Sequence, residues 1–251
     1  PFSLINALSD RKLRNYWASS GATSLLPKFV ENMEMKMEYF DHCFIEGDTL
    51  ETSDVVNGGA ELFLYQSGYL TIKGYDDGVY ILGFPNFEVR KALYRVVVPA
   101  LTMKSNSEVV SAQSFLRKMM QDGNTAEAKK ALKALIADVP YSNKKMASMD
   151  MEERYRLIMS TIFRALGFRV EVERMLATGR IDMIVEVPSI IYVLELKLSN
   201  NGGISAAESQ IKEKSYTEPF KADKRKVIAL AVELDETGKG LIDWKEVDES
   251  L

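Results

Sequence analysis

The chain is poor in the residues that most metal centres and nucleophilic sites require. It has one cysteine, Cys43, and one histidine, His42, among 251 residues. A single cysteine closes no internal disulfide, and no Cys or His cluster suggests zinc. A reducing, cytoplasmic setting is therefore expected. His42 has no serine or carboxylate at a recognisable spacing, so it reads as structural and leaves no Ser-His-Asp or Cys-His machinery. No apolar run reaches the roughly 18 residues of a membrane span, and the N-terminus lacks the basic-then-apolar layout of a signal peptide. The sequence opens on Pro1 rather than Met, as expected for a piece of a longer chain. It also lacks a Gly-x-x-x-x-Gly-Lys-Ser/Thr loop. Gly238-Lys239-Gly240 has neither the upstream glycine nor the hydroxyl residue. No repeat or low-complexity array occurs.

A hydrophobic content of 46% over this length supports one large or two modest domains. The net charge of −4 is unevenly spread. Residues 144–226 hold 15 Lys/Arg against 12 Asp/Glu, and residues 227–251 hold 2 against 7. A locally basic block thus precedes an acidic tail, and positive potential of that kind favours a polyanionic partner.

The spacing predicts helices over 2–18 and 23–37, the second carrying Met33, Met35 and Met37 as core filler. A short helix is expected at 60–67. Strands at 69–73 and 79–82 should follow, joined by Gly74-Tyr75-Asp76-Asp77-Gly78, and then a helix over 86–98 with Asn86 as its cap. This helix–hairpin–helix order over 58–100 is shared by winged-helix-like DNA readers and by small interaction or lid subdomains. Asp76 and Asp77 at the tip repel phosphate and favour the second. Helices over 107–121 and 125–137 come next, the latter with Lys129, Lys130 and Lys133 on a solvated face. Periodicity breaks over 140–150, the expected linker between regions 1–140 and 150–251.

The chemistry concentrates between Gly179 and Leu198. Two β-branched apolar runs flank Pro188-Ser189, the pattern of a hairpin of buried strands. With Pro188 and Ser189 at the turn, Val187 faces Ile190 and the pairing continues outward to Asp182 opposite Glu195. Strand residues alternate faces, so Glu195 and Lys197 point one way and Leu194, Leu196 and Leu198 the other. Two carboxylates that close repel unless a proton or cation stands between them. A hard divalent ion such as Mg2+ or Mn2+ suits oxygen ligands there, and Lys197 would hold an attacking water or a phosphate oxygen. A surface hairpin bearing an Asp and a Glu–Lys pair, with no metal, fits the same spacing.

Gly179-Arg180-Ile181-Asp182, Glu195-Leu196-Lys197 and Gln210-Ile211-x-x-Lys214-x-Tyr216 together resemble the core of the PD-(D/E)XK nuclease superfamily. Around them lie an expected helix at 155–166, a strand at 169–173, and a strand at 226–232 after Pro219-Phe220. The block at 150–251 is similar to the nuclease-like domain found C-terminal to an AAA-ATPase-like domain in many bacterial proteins. Ile181 stands where the superfamily's eponymous proline would be. The resemblance implies a restriction-endonuclease-like α/β domain with a mixed sheet flanked by helices, hydrolysing nucleic-acid phosphodiesters, DNA first. It implies Asp182 and Glu195 on the metal with the Leu196 carbonyl as a further ligand, Lys197 on the water, Gln210 assisting, and Lys214 and Tyr216 on substrate. Glu153 in the preceding helix is a further acid to consider, as in some relatives, although acids at helix starts are common for dipole reasons.

Residues 1–140 have a resemblance of their own. Pro1-Phe2-Ser3-Leu4-Ile5-Asn6-Ala7-Leu8, Tyr16-Trp17, the run from Leu64 to Ile72, and Gly83-Phe84-Pro85-Asn86 with Glu88-Val89 look like the C-terminal lid portion of the AAA-ATPase-like family. That implies an α-rich region with a small hairpin, and an absent ATP-binding core as partner. With no phosphate-cradling loop in the chain, calorimetry with ATP is expected to give no binding isotherm; micromolar affinity would overturn this reading.

Overall fold

The computed structural model describes residues 37–51, 59–102, 104–137 and 149–248, together with Ser9. Apart from Ser9 and Met37, the helices expected over 2–18 and 23–37 lie outside them, as does most of the expected linker at 140–150. The chain divides into two compact units, 1–97 and 98–251.

In the first unit a short strand, β1 (Cys43–Glu46), leads into a helical turn, α1 (Gly47–Glu51), followed by α2 (Gly59–Gln66) and the hairpin β2 (Thr71–Asp76) and β3 (Val79–Gly83). The antiparallel sheet has the order β1-β3-β2. Asp77 and Gly78, with φ of 42° and 85°, form the two-residue turn, both central residues left-handed as a tight hairpin of this kind demands. The expected five-residue turn is therefore shorter. A register shift between Ile72 and Gly74 carries β2 past Gly74 to Asp76. The next helix, α3 (Phe87–Thr102), is capped as expected, the Val89 N–H donating to the Asn86 side chain at 2.9 Å. It runs beyond the expected end at Val98, through Pro99. The proline forfeits one helical hydrogen bond, while the Thr102 hydroxyl donates to the Val98 carbonyl at 2.8 Å.

The second unit holds the five-stranded sheet. Ser105 and Glu108 form a reciprocal capping box at the start of α4 (Asn106–Asp122), and left-handed Gly123 ends it. Asn124 caps α5 (Thr125–Ile136). The Tyr192 hydroxyl donates to the Met120 carbonyl at 2.6 Å, and the Trp244 indole N–H to the Thr125 carbonyl at 3.0 Å. The 106–136 stretch, placed by its sequence in the 1–140 region, thus packs on the sheet. Two of its lysines reach β8, Lys129 to Asp243 at 2.5 Å and Lys133 to the Ile242 carbonyl at 3.1 Å.

Next come α6 (Met151–Ala165), β4 (Arg169–Met175), β5 (Arg180–Glu186) and β6 (Ile190–Leu198). They are followed by α7 (Gly203–Lys214), β7 (Lys226–Leu234) and β8 (Leu241–Val247). The sheet order is β4-β5-β6-β7-β8, with β6 and β7 parallel and the other neighbours antiparallel. This is the mixed sheet flanked by helices of a restriction-endonuclease-like α/β fold, with helices preceding it in the chain. The central β6 is buried on both faces. Ile191 and Val193 pack with Ala207 and Ile211 of α7, while Tyr192 points the other way, toward α4. Strand β8 is an addition to the expected elements. Among the described residues no helix is long and apolar enough to cross a membrane.

Fully buried Tyr155 fastens α6 to the β7–β8 connection, its hydroxyl donating to the Asp235 carbonyl at 3.0 Å and accepting the Gly240 N–H at 2.8 Å. Tyr155→Phe leaves both backbone groups without this partner. It is expected to cost about 1–3 kcal/mol in urea denaturation; a cost near zero would mean that water replaces the hydroxyl.

Candidate active site

The β5–β6 hairpin has the register read from the sequence. Met183 pairs with Leu194, Ile184 with Val193 and Glu186 with Ile191, and the Val187 N–H donates to the Ile190 carbonyl. One step outward, the same register sets Asp182 across from Glu195. Ladder pairing stops at Met183, and the Asp182 side chain takes over: its Oδ2 accepts the Leu196 N–H at 2.9 Å. A buried carboxylate thus holds the two strand ends together.

Both acids are removed from water, Asp182 at 3% exposure and Glu195 at 0%. The Lys197 ammonium donates to Glu195 Oε1 at 2.6 Å and to the Leu196 carbonyl at 3.2 Å, so that carbonyl faces the cluster. Glu195 Oε2 is buried and has no hydrogen-bond donor. Burial, then the charge of Asp182, push the Glu195 carboxyl up to about 8, against the pull of Lys197. Burial works to lower the Lys197 ammonium, but its hydrogen bond to Glu195 and the charges of Glu195, Asp182 and Glu152 outweigh it, and its pKa stands above the ordinary lysine value. Without added positive charge, the cluster retains a proton.

The arrangement around Asp182 extends past the expected residues. Arg156 on α6 is buried and donates to Asp182 Oδ1 at 3.3 Å, Glu152 at 3.1 Å and Glu173 at 3.0 Å. Glu173 lies between the pairs Val172–Met183 and Arg174–Ile181, hence across from Asp182, with φ of 54°. A non-glycine residue held there is strained and needs support from its surroundings; Arg180 adds a second ion pair to it at 3.1 Å. The α6 acid that reaches the cluster is Glu152, one residue before Glu153. Burial first and the Asp182 charge second raise its pKa. The sequence signal for this network is the Glu152–Arg156 pair, spaced i,i+4 at the start of α6.

Of the expected site residues, Asp182, Glu195, Leu196 and Lys197 converge. Gln210 is half-buried and donates to the Tyr216 hydroxyl at 2.9 Å, which donates to the Arg180 carbonyl at 2.7 Å. Tyr216 is fully buried, so it anchors Gln210 to β5 rather than meeting a substrate. Lys214 is exposed at the end of α7, and its carbonyl accepts the Thr178 hydroxyl at 2.9 Å. Among the described residues no three His, Cys, Asp or Glu side chains are grouped to hold a metal by themselves. The donor set is two carboxylates and one carbonyl. It suits a hard cation completed by water, and the orphaned Glu195 Oε2 is where positive charge is missing.

Residues 150–244 match the family model of the PD-(D/E)XK nuclease superfamily. The Asp182 and Glu195-Leu196-Lys197 cluster lies inside that match. A curated protein of Azotobacter chroococcum mcd 1, "Uncharacterized protein in vnfD 5'region", is 25% identical over 265 residues, covering 100% of this chain and 49% of that protein. The chain therefore spans about half the length of this relative. No solved structure matches it.

In the absence of divalent ions the Glu195 carboxyl holds its proton in the fold up to about pH 8, against 4.5 for an unperturbed glutamate. The folded state binds the extra proton across that window, so Glu195 lowers stability as pH rises through it. Glu195→Gln, which cannot ionise, is expected to gain on the parent in melting temperature between pH 5 and pH 8. Parallel pH profiles for the two proteins would contradict this assignment.

Proposed function

We propose that residues 150–244 act as a divalent-metal-dependent nuclease, hydrolysing phosphodiester bonds of nucleic acid, DNA in preference. The observation carrying this reading is the convergence of Asp182, Glu195 and Lys197 on two largely apolar, buried strands, with Glu195 Oε2 lacking a donor. The superfamily match over the same residues supports it. Mg2+ or Mn2+ would be held by Asp182, Glu195 and the Leu196 carbonyl. When bound, such an ion lowers the pKa of water and neutralises charge growing on a phosphate. Lys197 orients the attacking water and stabilises the charge that develops on the phosphoryl oxygens. The water's oxygen forms a bond to phosphorus as the bond to the leaving sugar oxygen breaks; the water gives up a proton to solvent, and the leaving oxygen takes one up from solvent. On this reading Gln210, held by Tyr216, assists, and the exposed Lys214 contacts a phosphate of the substrate.

For residues 1–140 we propose the lid region of an AAA-ATPase-like protein, its ATP-binding core being the partner; the motifs from Leu64 to Val89 support it. A second reading, a catalytically silent module that binds nucleic acid or protein, draws on one observation. Both Asp182 oxygens already have protein donors.

Cleavage of a DNA and RNA panel with Mg2+ or Mn2+ separates the two. Lys197→Ala is expected to lower the rate by about two to three decades while leaving metal binding in place. Asp182→Ala is expected to abolish both metal binding and cleavage, the relief of carboxylate repulsion offsetting part of the stability lost with its Leu196 N–H and Arg156 contacts. A parent with no cleavage and no metal-induced rise in melting temperature would leave the silent module.

A further inference from the structure

The buried ion network behind Asp182 exceeds what that carboxylate needs. Arg156 carries one positive charge and serves three carboxylates, Glu152, Glu173 and Asp182, at 3.1, 3.0 and 3.3 Å. Its longest contact is the one to Asp182, so its fork is set mainly by the other two. Glu173, left-handed and across from Asp182, is held by both Arg156 and Arg180. Without Arg156, Glu152 would lose its partner and Glu173 would keep only Arg180, both beside Asp182, and an arriving cation would draw them in.

We infer that Arg156 is a positioning residue: it holds Glu152 and Glu173 away from the ion site and shares Asp182 with the ion, so that Asp182 and Glu195 alone present carboxylates to it. This rests on the metal-dependent reading above. Arg156 thereby weakens metal binding while fixing the geometry of the site, a combination that a residue serving only the fold would not give.

Mn2+ titration of the full chain, followed by the electron paramagnetic resonance of the free ion, tests this. Removing a unit positive charge beside the ion in Arg156→Gln is expected to tighten Mn2+ binding about tenfold, with cleavage reduced. Arg156→Lys keeps the charge and is expected to stay within about threefold of the parent. If Arg156→Gln does not fold, the same step is read in a Glu152→Gln background, where the lost charges balance; Mn2+ should again bind more tightly in the double variant than in Glu152→Gln. Unchanged or weaker binding in these comparisons would overturn the inference, as would equal tightening by Arg156→Lys, which would point to volume rather than charge. Mn2+ binding without cleavage of any substrate would remove the nuclease reading and leave this inference intact. A parent that binds no Mn2+ would remove both.

Discussion

Two carboxylates buried side by side cannot both remain ionised without positive charge against them. The second unit of this protein is arranged around that constraint. Lys197 supplies one charge from within β6, two residues from Glu195 and on the same face. Arg156 supplies another from α6. Neither is sufficient, since Glu195 Oε2 stays without a donor and its carboxyl is driven to about 8. The compensation spreads outward: Arg156 engages Glu152 and Glu173, and Glu173 in turn engages Arg180. A purely structural core would fill the same strand ends with apolar side chains at lower cost.

The hairpin that makes this possible was legible in the sequence because its signals agree. Apolar β-branched runs, a Pro-Ser turn and period-two alternation fix one register, and that register brings Asp182 to Glu195. The elements that escaped have conflicting local signals. In β8 the buried residues Leu241, Trp244 and Val247 recur every third position, a helix-like spacing set by an edge strand that packs on α5. Strand β1 has four residues and two buried side chains, too short for a pattern. Pro99 reads as a stop, but one missing N–H does not end a helix whose other contacts hold.

The site was legible in its acids and its lysine and illegible in its supports. Glu153 and Glu152 differ by one residue, hence by about 100° around the helix, a rotation smaller than the error in placing a helix start from sequence. Glu173 belongs to a strand of alternating charged and apolar residues and looks like any solvent-facing acid. The β4–β5 register sets it across from Asp182, where its backbone is left-handed, and no sequence pattern announces either. Tyr216 shows the converse. Its place in the motif suggested contact with substrate, whereas burial turns it inward to tie Gln210 to the Arg180 carbonyl.

The same atoms couple proton, ion and fold. Glu195 must give up its proton before Oε2 can serve a cation, so on the proposed reading metal affinity falls with decreasing pH below about 8. Anything that binds the folded state alone stabilises it by mass action. A site left short of positive charge in the free protein thus gains more from a bound ion than a site already balanced. Two strand ends held by one Asp182–Leu196 hydrogen bond, rather than by a continued ladder, are where that gain would be felt first.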